Sequence, residues 1–274
     1  MWFVTGASSG LGRAIAEAVL DRSERLVATA RRPESIADLE RSAPDRVACL
    51  ELDVTDAASA RTAVDAAVRR FGHIDVLVNN AGRGLIGAVE EVSEDQIARL
   101  FDVNVMGALH VTRAALPAMR ARGRGHIVQM SSVGGVRANP GHGLYAASKF
   151  ALEGVSEALA GEVAPFGIKV LIVEPGPFRT DFAGRSLEWS TPLDAYHGTP
   201  AARLREQFTG MDGTQPNDPA RAAAAIIDAV DSDDPPLRLA LGPEAVEGIR
   251  TKLGRQLDEL AAWEDVANAT AFPD

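Results

Sequence analysis

The chain has 274 residues, which is long enough for a single α/β domain with a well-buried core. Hydrophobic residues make up 46% of it and charged residues 24%, as is ordinary for a globular protein, and no apolar run approaches the roughly 18 residues that a membrane helix needs. The formal net charge of -10 disfavours a general nucleic-acid-binding surface, because phosphate binding needs clustered lysines and arginines.

Two features of the chain predict a cytoplasmic location. No charged segment precedes the apolar run Trp2–Val4, and Gly6 follows closely, so a secretory signal is not predicted. Cys49 is the single cysteine, so the chain has no internal disulfide, which agrees with a reducing compartment.

Short apolar runs alternate with helical patterns along most of the chain. Most of these runs are continuous, as is typical of parallel strands that are covered on both faces. The predicted strands are Trp2–Thr5, Arg25–Ala30, Val47–Leu52, Ile74–Val78, His126–Met130, Lys169–Val173 and Leu237–Leu241.

Amphipathic patterns between the strands predict helices. In the first of them, Leu11, Ile15 and Val19 fall on one face at helical spacing. The repeated strand–helix units predict a single-domain, Rossmann-type α/β fold over residues 1–274, with a doubly wound parallel sheet of about seven strands and helices on both faces. The predicted helices are Leu11–Val19, Ala57–Phe71, Glu94–Arg120, Tyr145–Val163 and Pro219–Val230.

A glycine-rich loop joins the first strand to the first helix. Such a unit brings backbone N–H groups and the positive end of a helix against a pyrophosphate. The glycines permit a tight turn and close approach of a cofactor, although glycines after a strand also occur in ordinary turns. The loop residues predicted to bind the cofactor are Gly6, Ser8, Ser9, Gly10, Leu11 and Gly12.

The second strand ends at Ala30 and is followed by Arg31 and Arg32. An acidic residue at this position in dinucleotide folds holds the ribose 2′-OH, whereas an arginine suits a 2′-phosphate. Two guanidinium groups pair well with a doubly charged phosphate, so the sequence favours NADP(H) over NAD(H). The alternative is that both arginines are solvated surface residues.

The third and fourth strands end in residues whose position suggests contact with the cofactor. Asp53 and Val54 follow the third strand, where the adenine would lie. Asn79-Asn80-Ala81-Gly82 ends the fourth strand. By composition each is a turn, and only its place at a carboxyl strand end predicts a cofactor-lining role.

Three polar residues near the fifth strand favour proton-transfer chemistry. Tyr145 and Lys149 are four residues apart on a predicted helix, so their side chains project from one face. A nearby ammonium group and an oxidised nicotinamide would both lower the phenol pKa from about 10. Ser132 ends the fifth strand, where its hydroxyl can polarise a substrate oxygen. A Tyr–Lys pair alone is also common on solvated helices.

The segment Pro175–Pro219 breaks the strand–helix alternation. It has no clear strand pattern, many prolines and glycines, and scattered large apolar residues such as Trp189 and Phe208. Long irregular segments in compact domains are usually functional or disordered. We therefore predict a substrate lid at about residues 181–217, with a surface helix pair packed on the domain as the alternative.

Five motifs in this order resemble the short-chain dehydrogenase/reductase family over nearly the full chain. Thr5–Gly12 matches its T-G-x-x-x-G-x-G loop, and Asn79–Gly82 matches its N-N-A-G turn. Tyr145–Lys149 reads as its Y-x-x-x-K signature. Pro175-Gly176, followed by Thr180, matches the segment that holds the nicotinamide end of the cofactor. The remaining motif is a catalytic tetrad formed by Asn104, Ser132, Tyr145 and Lys149.

The resemblance implies roles for these residues. Tyr145 is expected as the acid/base, Lys149 on the nicotinamide ribose, Ser132 on the substrate oxygen, and Asn104 as the holder of a relay water. The run Glu174–Thr180 and the longer C-terminus resemble the hydroxysteroid-dehydrogenase-type branch. The residues expected at the cofactor, beyond the loop, are Arg31, Arg32, Asp53, Val54, Asn80, Ala81, Gly82, Tyr145, Lys149, Pro175, Gly176, Phe178 and Thr180.

The predicted function is thus an NADP(H)-dependent interconversion of a ketone or aldehyde and its alcohol. A dinucleotide-sensing protein with little catalysis is the alternative, although a sensor needs no proton donor such as Tyr145. A sugar-nucleotide epimerase shares the Tyr–Lys pair but resembles longer chains with a different glycine spacing. A purely structural module leaves the five motifs unexplained.

Expected partners follow from the same features. The substrate is expected to be a small, apolar carbonyl or alcohol compound, and no metal, membrane or nucleic-acid partner is predicted. The long helices Glu94–Arg120 and Tyr145–Val163 are rich in Ala and Leu. In the resembled family these faces form a common dimer interface, so a homodimer or homotetramer is expected; burial against the sheet is the alternative.

Overall fold

The computed structural model describes residues 1–182, 184, 186–211 and 213–272. Within these ranges, seven strands form the main sheet and two form a small second sheet. In chain order, the strands are β1 (Trp2–Val4), β2 (Leu26–Ala30), β3 (Val47–Glu51), β4 (Val76–Asn79), β5 (Gly84–Ile86), β6 (Gly125–Met130), β7 (Ile168–Pro175), β8 (Leu187–Trp189) and β9 (Arg238–Leu241).

The main sheet is parallel throughout and has the order β3-β2-β1-β4-β6-β7-β9. The seven predicted strands and the doubly wound α/β fold are therefore confirmed. Because the order runs outwards in both directions from the β1–β4 pair, the connections diverge there and leave a crevice at the carboxyl ends of the strands.

Ten α-helices lie within the described ranges. The five predicted helices are present, but the one predicted at Glu94–Arg120 is divided by a π-helical turn at Asp102–Gly107. No helix in the described part of the chain combines the length and hydropathy needed to cross a membrane. The helices are α1 (Gly10–Asp21), α2 (Ala37–Ser42), α3 (Ala57–Phe71), α4 (Glu94–Phe101), α5 (Ala108–Arg122), α6 (Gly143–Val163), α7 (Pro200–Thr209), α8 (Pro219–Asp231), α9 (Pro243–Ala262) and α10 (Glu264–Asn268).

The core forms two layers because side chains alternate across each strand. Trp2 and Val4 of β1 face a cluster formed with α1 and α8. Phe3, between them, faces a second cluster formed with α3, α5 and part of α6. Phe3 and Val4 are completely buried, so both faces of the sheet are covered. This double burial explains why the strands read as continuous apolar runs.

The prediction of an irregular segment between β7 and α8 was wrong in part. β8 pairs in parallel with β5, with Gly84 opposite Leu187, and α7 forms a regular helix. Two three-residue strands carry too few residues for a pattern and depend on each other for their backbone hydrogen bonds. Positions 183, 185 and 212 of the predicted lid lie outside the described residues.

Candidate active site

A cleft of about 830 Å³ opens at the carboxyl ends of the main-sheet strands. It contains almost all of the residues that the sequence singled out, although they are spread over 175 positions of the chain. The predicted residues that line it are Gly6, Ser8, Ser9, Gly10, Leu11, Arg31, Asp53, Val54, Asn80, Ala81, Gly82, Ser132, Tyr145, Lys149, Pro175, Gly176, Phe178 and Thr180.

The glycine loop is shaped for close approach. Gly6 and Gly10 have φ angles of +66° and +59°, which favour glycine over any residue with a side chain. Gly12 lies behind the cleft wall: a Cβ there would collide with the Asn80 side chain and lie 2.5 Å from the carbonyl oxygen of Gly6. Gly12 therefore packs α1 against the β1 and β4 ends, while the other two glycines shape the loop.

Hydrogen bonds between the start of the loop and the residues after β4 hold the loop in place. The Asn80 amide donates to the carbonyl oxygens of Thr5 and Gly6, at 2.9 and 3.0 Å. The Thr5 hydroxyl accepts from the backbone N–H groups of Asn80 and Ala81, at 2.9 and 3.0 Å. These bonds fix the glycine loop against the N-N-A-G turn, so Asn80 acts here as a scaffold for the loop.

The two arginines after β2 have different positions. Arg31 lines the cleft at the end of β2. Both arginines are exposed, but Arg32 does not line the cleft. Adjacent side chains of an extended chain point in opposite directions, so a single arginine faces the cleft.

Asp53, at the end of β3, accepts from the backbone N–H and the hydroxyl of Thr55 and so holds its own turn in place.

Tyr145 and Ser132 meet in the cleft. Burial raises the pKa of Tyr145 to about 12, while its hydrogen bond with Ser132 acts in the opposite direction. The Ser132 Oγ also accepts from the backbone N–H of Gly134 at 3.0 Å, which fixes its position after β6. A Cβ on Gly134 would lie 3.1 Å from the Tyr145 ring, so this turn closes tightly over the phenol.

Lys149 lies one helical turn after Tyr145 and is buried. Its Nζ donates to the carbonyl oxygen of Met130 at 2.8 Å and lies 5.9 Å from the centre of the Tyr145 ring. Burial lowers the pKa of Lys149 to about 8, although the Glu153 carboxylate acts in the opposite direction. We expected Lys149 to lower the pKa of Tyr145. In the protein without cofactor this pKa is raised instead, because burial of the phenol is the dominant effect.

Asn104 lies in the π-helical turn and is buried beside the cleft without lining it. Its Oδ1 accepts from the backbone N–H of Arg83 at 2.8 Å. Its Nδ2 donates to the carbonyl oxygen of Arg83 at 2.9 Å and to the Ser148 hydroxyl at 3.0 Å. Asn104 thus ties the loop after β4 to α6, the helix that carries Tyr145 and Lys149.

Two buried carboxylates and a partly exposed arginine lie behind Lys149. Arg238 of β9 contacts the carboxylates of Glu153 at 3.1 Å and Glu174 at 3.6 Å. Burial, reinforced by the neighbouring Glu153 carboxylate, raises the pKa of Glu174 to about 7. The pKa of Glu153 is also raised, chiefly by burial. One guanidinium group therefore connects α6, β7 and β9 beneath the cleft.

The sequence did not single out His142, which also lines the cleft. It immediately precedes α6 and lies against the Tyr145 ring. The available signal was its position three residues before Tyr145, close to one helical turn. Phe182, in the predicted lid segment, also contacts the Tyr145 ring, edge-on at a centroid distance of 5.9 Å.

The segment after β7 contributes residues to the lining of the cleft. Thr180 lies against the glycine loop, where a Cβ on Gly10 would be 3.3 Å from its Cβ. Phe208 and Met211 also line the cleft. Trp189 does not line it, and its ring lies 5.6 Å from the Arg205 guanidinium. Trp189 therefore secures β8, contrary to its expected place at the substrate.

The cleft fits a dinucleotide. The glycine loop leaves room that side chains would otherwise fill. The backbone N–H groups of the loop lie at the start of α1, and the buried Tyr145 and Lys149 also line the cleft. A loop of this kind after the first strand of a doubly wound sheet defines the class of dinucleotide-binding α/β proteins.

Comparisons with known proteins agree with this class. The family model for short chain dehydrogenases matches residues 1–191. "Oxidoreductase BOA17" of Botryotinia fuckeliana is 39% identical, with 99% of each chain covered. "3-ketodihydrosphingosine reductase" of Bacteroides thetaiotaomicron is 38% identical, with 88% of this chain and 87% of the relative covered.

Solved structures extend the similarity. A short-chain dehydrogenase from Streptomyces avermitilis has a TM-score of 0.92 and 46% identity, covering 98% of this chain and 99% of that one. A Burkholderia phymatum member in complex with NAD has a TM-score of 0.80 and 26% identity, covering 91% of both chains. A Thermococcus sibiricus alcohol dehydrogenase with 5-hydroxy-NADP has a TM-score of 0.71 and 25% identity, covering 88% and 94%. The chain belongs to the short-chain dehydrogenase/reductase family and is an oxidoreductase with a nicotinamide dinucleotide cofactor.

Proposed function

We propose that the protein interconverts an apolar ketone or aldehyde and the corresponding alcohol, with NADP(H) as cofactor and Tyr145 as acid/base. One observation supports this most strongly: Ser132, Tyr145 and Lys149 converge in the cleft that begins at the glycine loop. A dinucleotide sensor would need the loop but not a buried phenol held beside a serine hydroxyl. The catalytic role is therefore favoured over sensing.

The proposed preference for NADP(H) depends on Arg31. Arg31 lines the cleft at the end of β2, where the 2′-phosphate of the cofactor would lie. A carboxylate that binds a ribose 2′-OH would stand at this same strand end, and here the residue is an arginine. The similar structures hold either NAD or NADP-type cofactors, so the local charge is the basis of the choice. A guanidinium group forms paired, charge-assisted bonds with a phosphate.

In the proposed reductive direction, NADPH held in this cleft would supply the hydride that the carbonyl carbon accepts. Tyr145 donates its proton to the substrate oxygen, and the Ser132 hydroxyl donates a hydrogen bond to the same oxygen while charge develops there. The raised pKa keeps the Tyr145 phenol protonated before reaction. The Lys149 ammonium, held by the Met130 carbonyl, stabilises the phenolate that remains. Phe182 and His142 exclude water from the phenol ring.

The proposed substrate carries an apolar body. Aromatic and aliphatic side chains surround the Tyr145 end of the cleft, and the similarity to a protein named 3-ketodihydrosphingosine reductase agrees with a ketone attached to a long apolar chain. The apolar residues of this end are Val133, Phe178, Phe182, Leu204, Phe208 and Met211.

We further propose that the protein acts as a homo-oligomer through the outer faces of α5 and α6. Phe150 and Val155 of α6 are 44% and 36% exposed, and Met106 just before α5 is 40% exposed. Exposed apolar residues on α6 and on the turn that leads into α5 form a surface that association would cover.

The test of the proposed function is a panel of carbonyl compounds with NADPH, followed by the loss of cofactor absorbance. The panel pairs short and long 2-ketones, aromatic aldehydes and, as polar controls, keto acids. We expect turnover with the long apolar ketones and little with the keto acids. Turnover of none of these compounds, with NADPH bound normally, would contradict the reductase function.

A further inference from the structure

The C-terminal half of α9 extends away from the domain. Every described residue from 253 to 272 is exposed, whereas Ala245 and Gly248 at the start of the helix are buried against the body. Besides charged residues, the exposed half carries large apolar side chains. Leu257 and Leu260 are each 65% exposed and Trp263 is 67% exposed.

These apolar residues form one continuous stripe. Val246, Leu253 and Leu260 are seven residues apart, and Leu257 lies one turn from its leucine neighbours on the same face. A seven-residue apolar repeat is typical of helices that pair with another helix. The extended half of this 20-residue helix has no packing of its own, and a segment of about ten residues is marginally stable as a helix in water, so a partner would stabilise it.

The charged residues beside the stripe are arranged so that two antiparallel copies of α9 would complement each other. Arg250, Lys252 and Arg255 precede Leu257, and Asp258, Glu259 and Glu264 follow it. If a second α9 lies antiparallel with its centre at Leu257, the basic half of each helix faces the acidic half of the other. A parallel arrangement would bring like charges together.

We propose that α9 is an interface for a second copy of this chain, in an antiparallel helix pair centred on Leu257. Leu253, Leu257 and Leu260 of each copy form the apolar contact. Arg250 lies opposite Glu264 of the other helix, and Lys252 lies close to the other helix's Glu259. The interface is separate from the outer faces of α5 and α6, and it does not depend on the proposed catalytic function.

A lipid surface is the competing occupant of an apolar helix face. Residues 243–268 carry six acidic and three basic residues, so an anionic membrane would repel this helix. The acidic groups Asp258, Glu259, Glu264 and Asp265 surround the most exposed part of the stripe. The charge pattern therefore favours a second α9 over a membrane.

The first test is the mass of the full chain by light scattering at micromolar concentration. The Leu253→Asp/Leu257→Asp variant should have half the mass of the parent. The control Thr251→Asp/Ala262→Asp adds the same two charges on the opposite face of α9 and should keep the parent mass. Equal masses for the parent and the leucine variant would overturn the proposal.

The second test uses charge reversal to identify the partner. Arg250→Glu/Lys252→Glu makes the four contact positions 250, 252, 259 and 264 all acidic, and Glu259→Lys/Glu264→Lys makes the same four positions all basic. Each variant alone should lose the α9 contact, and an equimolar mixture should recover the parent mass. Failure of the mixture to recover it, with both variants folded by circular dichroism, would contradict antiparallel self-pairing.

A vesicle experiment tests the competing occupant. The parent protein is sedimented with vesicles of phosphatidylcholine alone and of phosphatidylcholine with phosphatidylserine. We expect no binding to either. Co-sedimentation that the Leu253→Asp/Leu257→Asp change abolishes would overturn the proposal and assign the helix to a lipid surface.

Discussion

The imidazole ring of His142 lies flat against the phenol ring of Tyr145, with centroids 4.3 Å apart and an angle of 8° between the planes. Burial lowers the pKa of His142 to about 4, so the imidazole is neutral at physiological pH. Its Nε2 has no hydrogen-bond partner among the described residues. The ring therefore acts on Tyr145 by covering one face and excluding water.

This stacking predicts different effects for two substitutions. An aromatic pair contributes roughly 0.5–1.5 kcal/mol beyond area burial, which is about two- to tenfold in rate if it is lost in the transition state. His142→Ala should lower kcat by that factor, and His142→Phe, which keeps an aromatic ring, should stay within about twofold of the parent. Equal losses in both variants would show that the imidazole nitrogens, and not the stacking, matter.

The positions of Arg31 and Arg32 make them a matched pair for testing cofactor choice. A charged hydrogen bond contributes roughly 1.5–3 kcal/mol, so Arg31→Ala should weaken NADPH binding by about tenfold or more and leave NADH binding unchanged. Arg32→Ala should change neither, because Arg32 does not line the cleft. Titration by cofactor fluorescence measures all four affinities. Equal affinity of the parent for NADPH and NADH would contradict the proposed preference.

The proposed lid at residues 181–217 consists of a fixed part and a loosely packed part. Glu188 of β8 pairs with Arg83 at 2.6 Å and Arg99 at 2.8 Å, whereas α7 has no fully buried residue. Without ligand, the amides of α7 should exchange faster than those of β7, and NADPH with a ketone substrate should slow them. If hydrogen exchange in α7 is already as slow as in β7 and does not respond to ligand, α7 is a rigid packing element.

The seven main strands and five helices could be predicted because their sequence patterns are local. Continuous apolar runs such as Val170–Val173 signal a strand that is buried on both faces. The pair β5 and β8 could not be predicted, because each has three residues and its hydrogen bonds come from a segment about 100 positions away. The apolar repeat of α9 is present in the sequence, but the sequence could not show that these residues face outwards, away from the core that periodicity arguments assume.

The cleft residues could be predicted where a chemical requirement fixes the residue type. Gly6 needs a positive φ, and Tyr145 needs Lys149 one turn away. Which of two adjacent residues faces the cleft depends on the local path of the chain, so Arg31 and Arg32 could not be distinguished. His142 was missed because a single histidine before a helix has no distinctive pattern until the fold brings it onto Tyr145.

The buried carboxylate of Glu174 predicts a pH dependence of stability. Its pKa rises from 4.5 to about 7 on folding, chiefly through burial. A raised pKa means that the folded state binds the proton more tightly, so this contribution is present below pH 4.5 and is lost as the pH rises through about 7. Relative to the parent, Glu174→Gln should therefore gain stability between pH 4.5 and pH 8, by on the order of 1–3 kcal/mol.

Urea unfolding of the parent and Glu174→Gln at the two pH values measures this difference. The exposed residue Glu162 on α6 supplies the control substitution Glu162→Gln, which should follow the parent at both pH values. A difference between Glu174→Gln and the parent that does not change with pH would mean that Glu174 does not titrate in this range.

Tyr145 is the residue on which the proposed reaction depends most. The chain has only two tyrosines, and the other, Tyr196, is on the surface with its hydroxyl 3.0 Å from Glu90. Tyr145→Phe removes one oxygen and keeps the ring contacts with His142 and Phe182, so folding and NADPH binding should be preserved. Tyr196→Phe removes the same atom far from the cleft and is the matched control.

The most direct test is the turnover of Tyr145→Phe on any ketone that the parent reduces, measured beside its NADPH affinity. General acid catalysis typically contributes about 10²–10⁴-fold, so turnover should fall at least about a hundredfold. NADPH affinity should stay within about threefold of the parent, since the lost oxygen accounts for at most about one neutral hydrogen bond, and Tyr196→Phe should match the parent in both. A Tyr145→Phe enzyme that reduces the ketone within a few-fold of the parent would show that Tyr145 is not the proton donor.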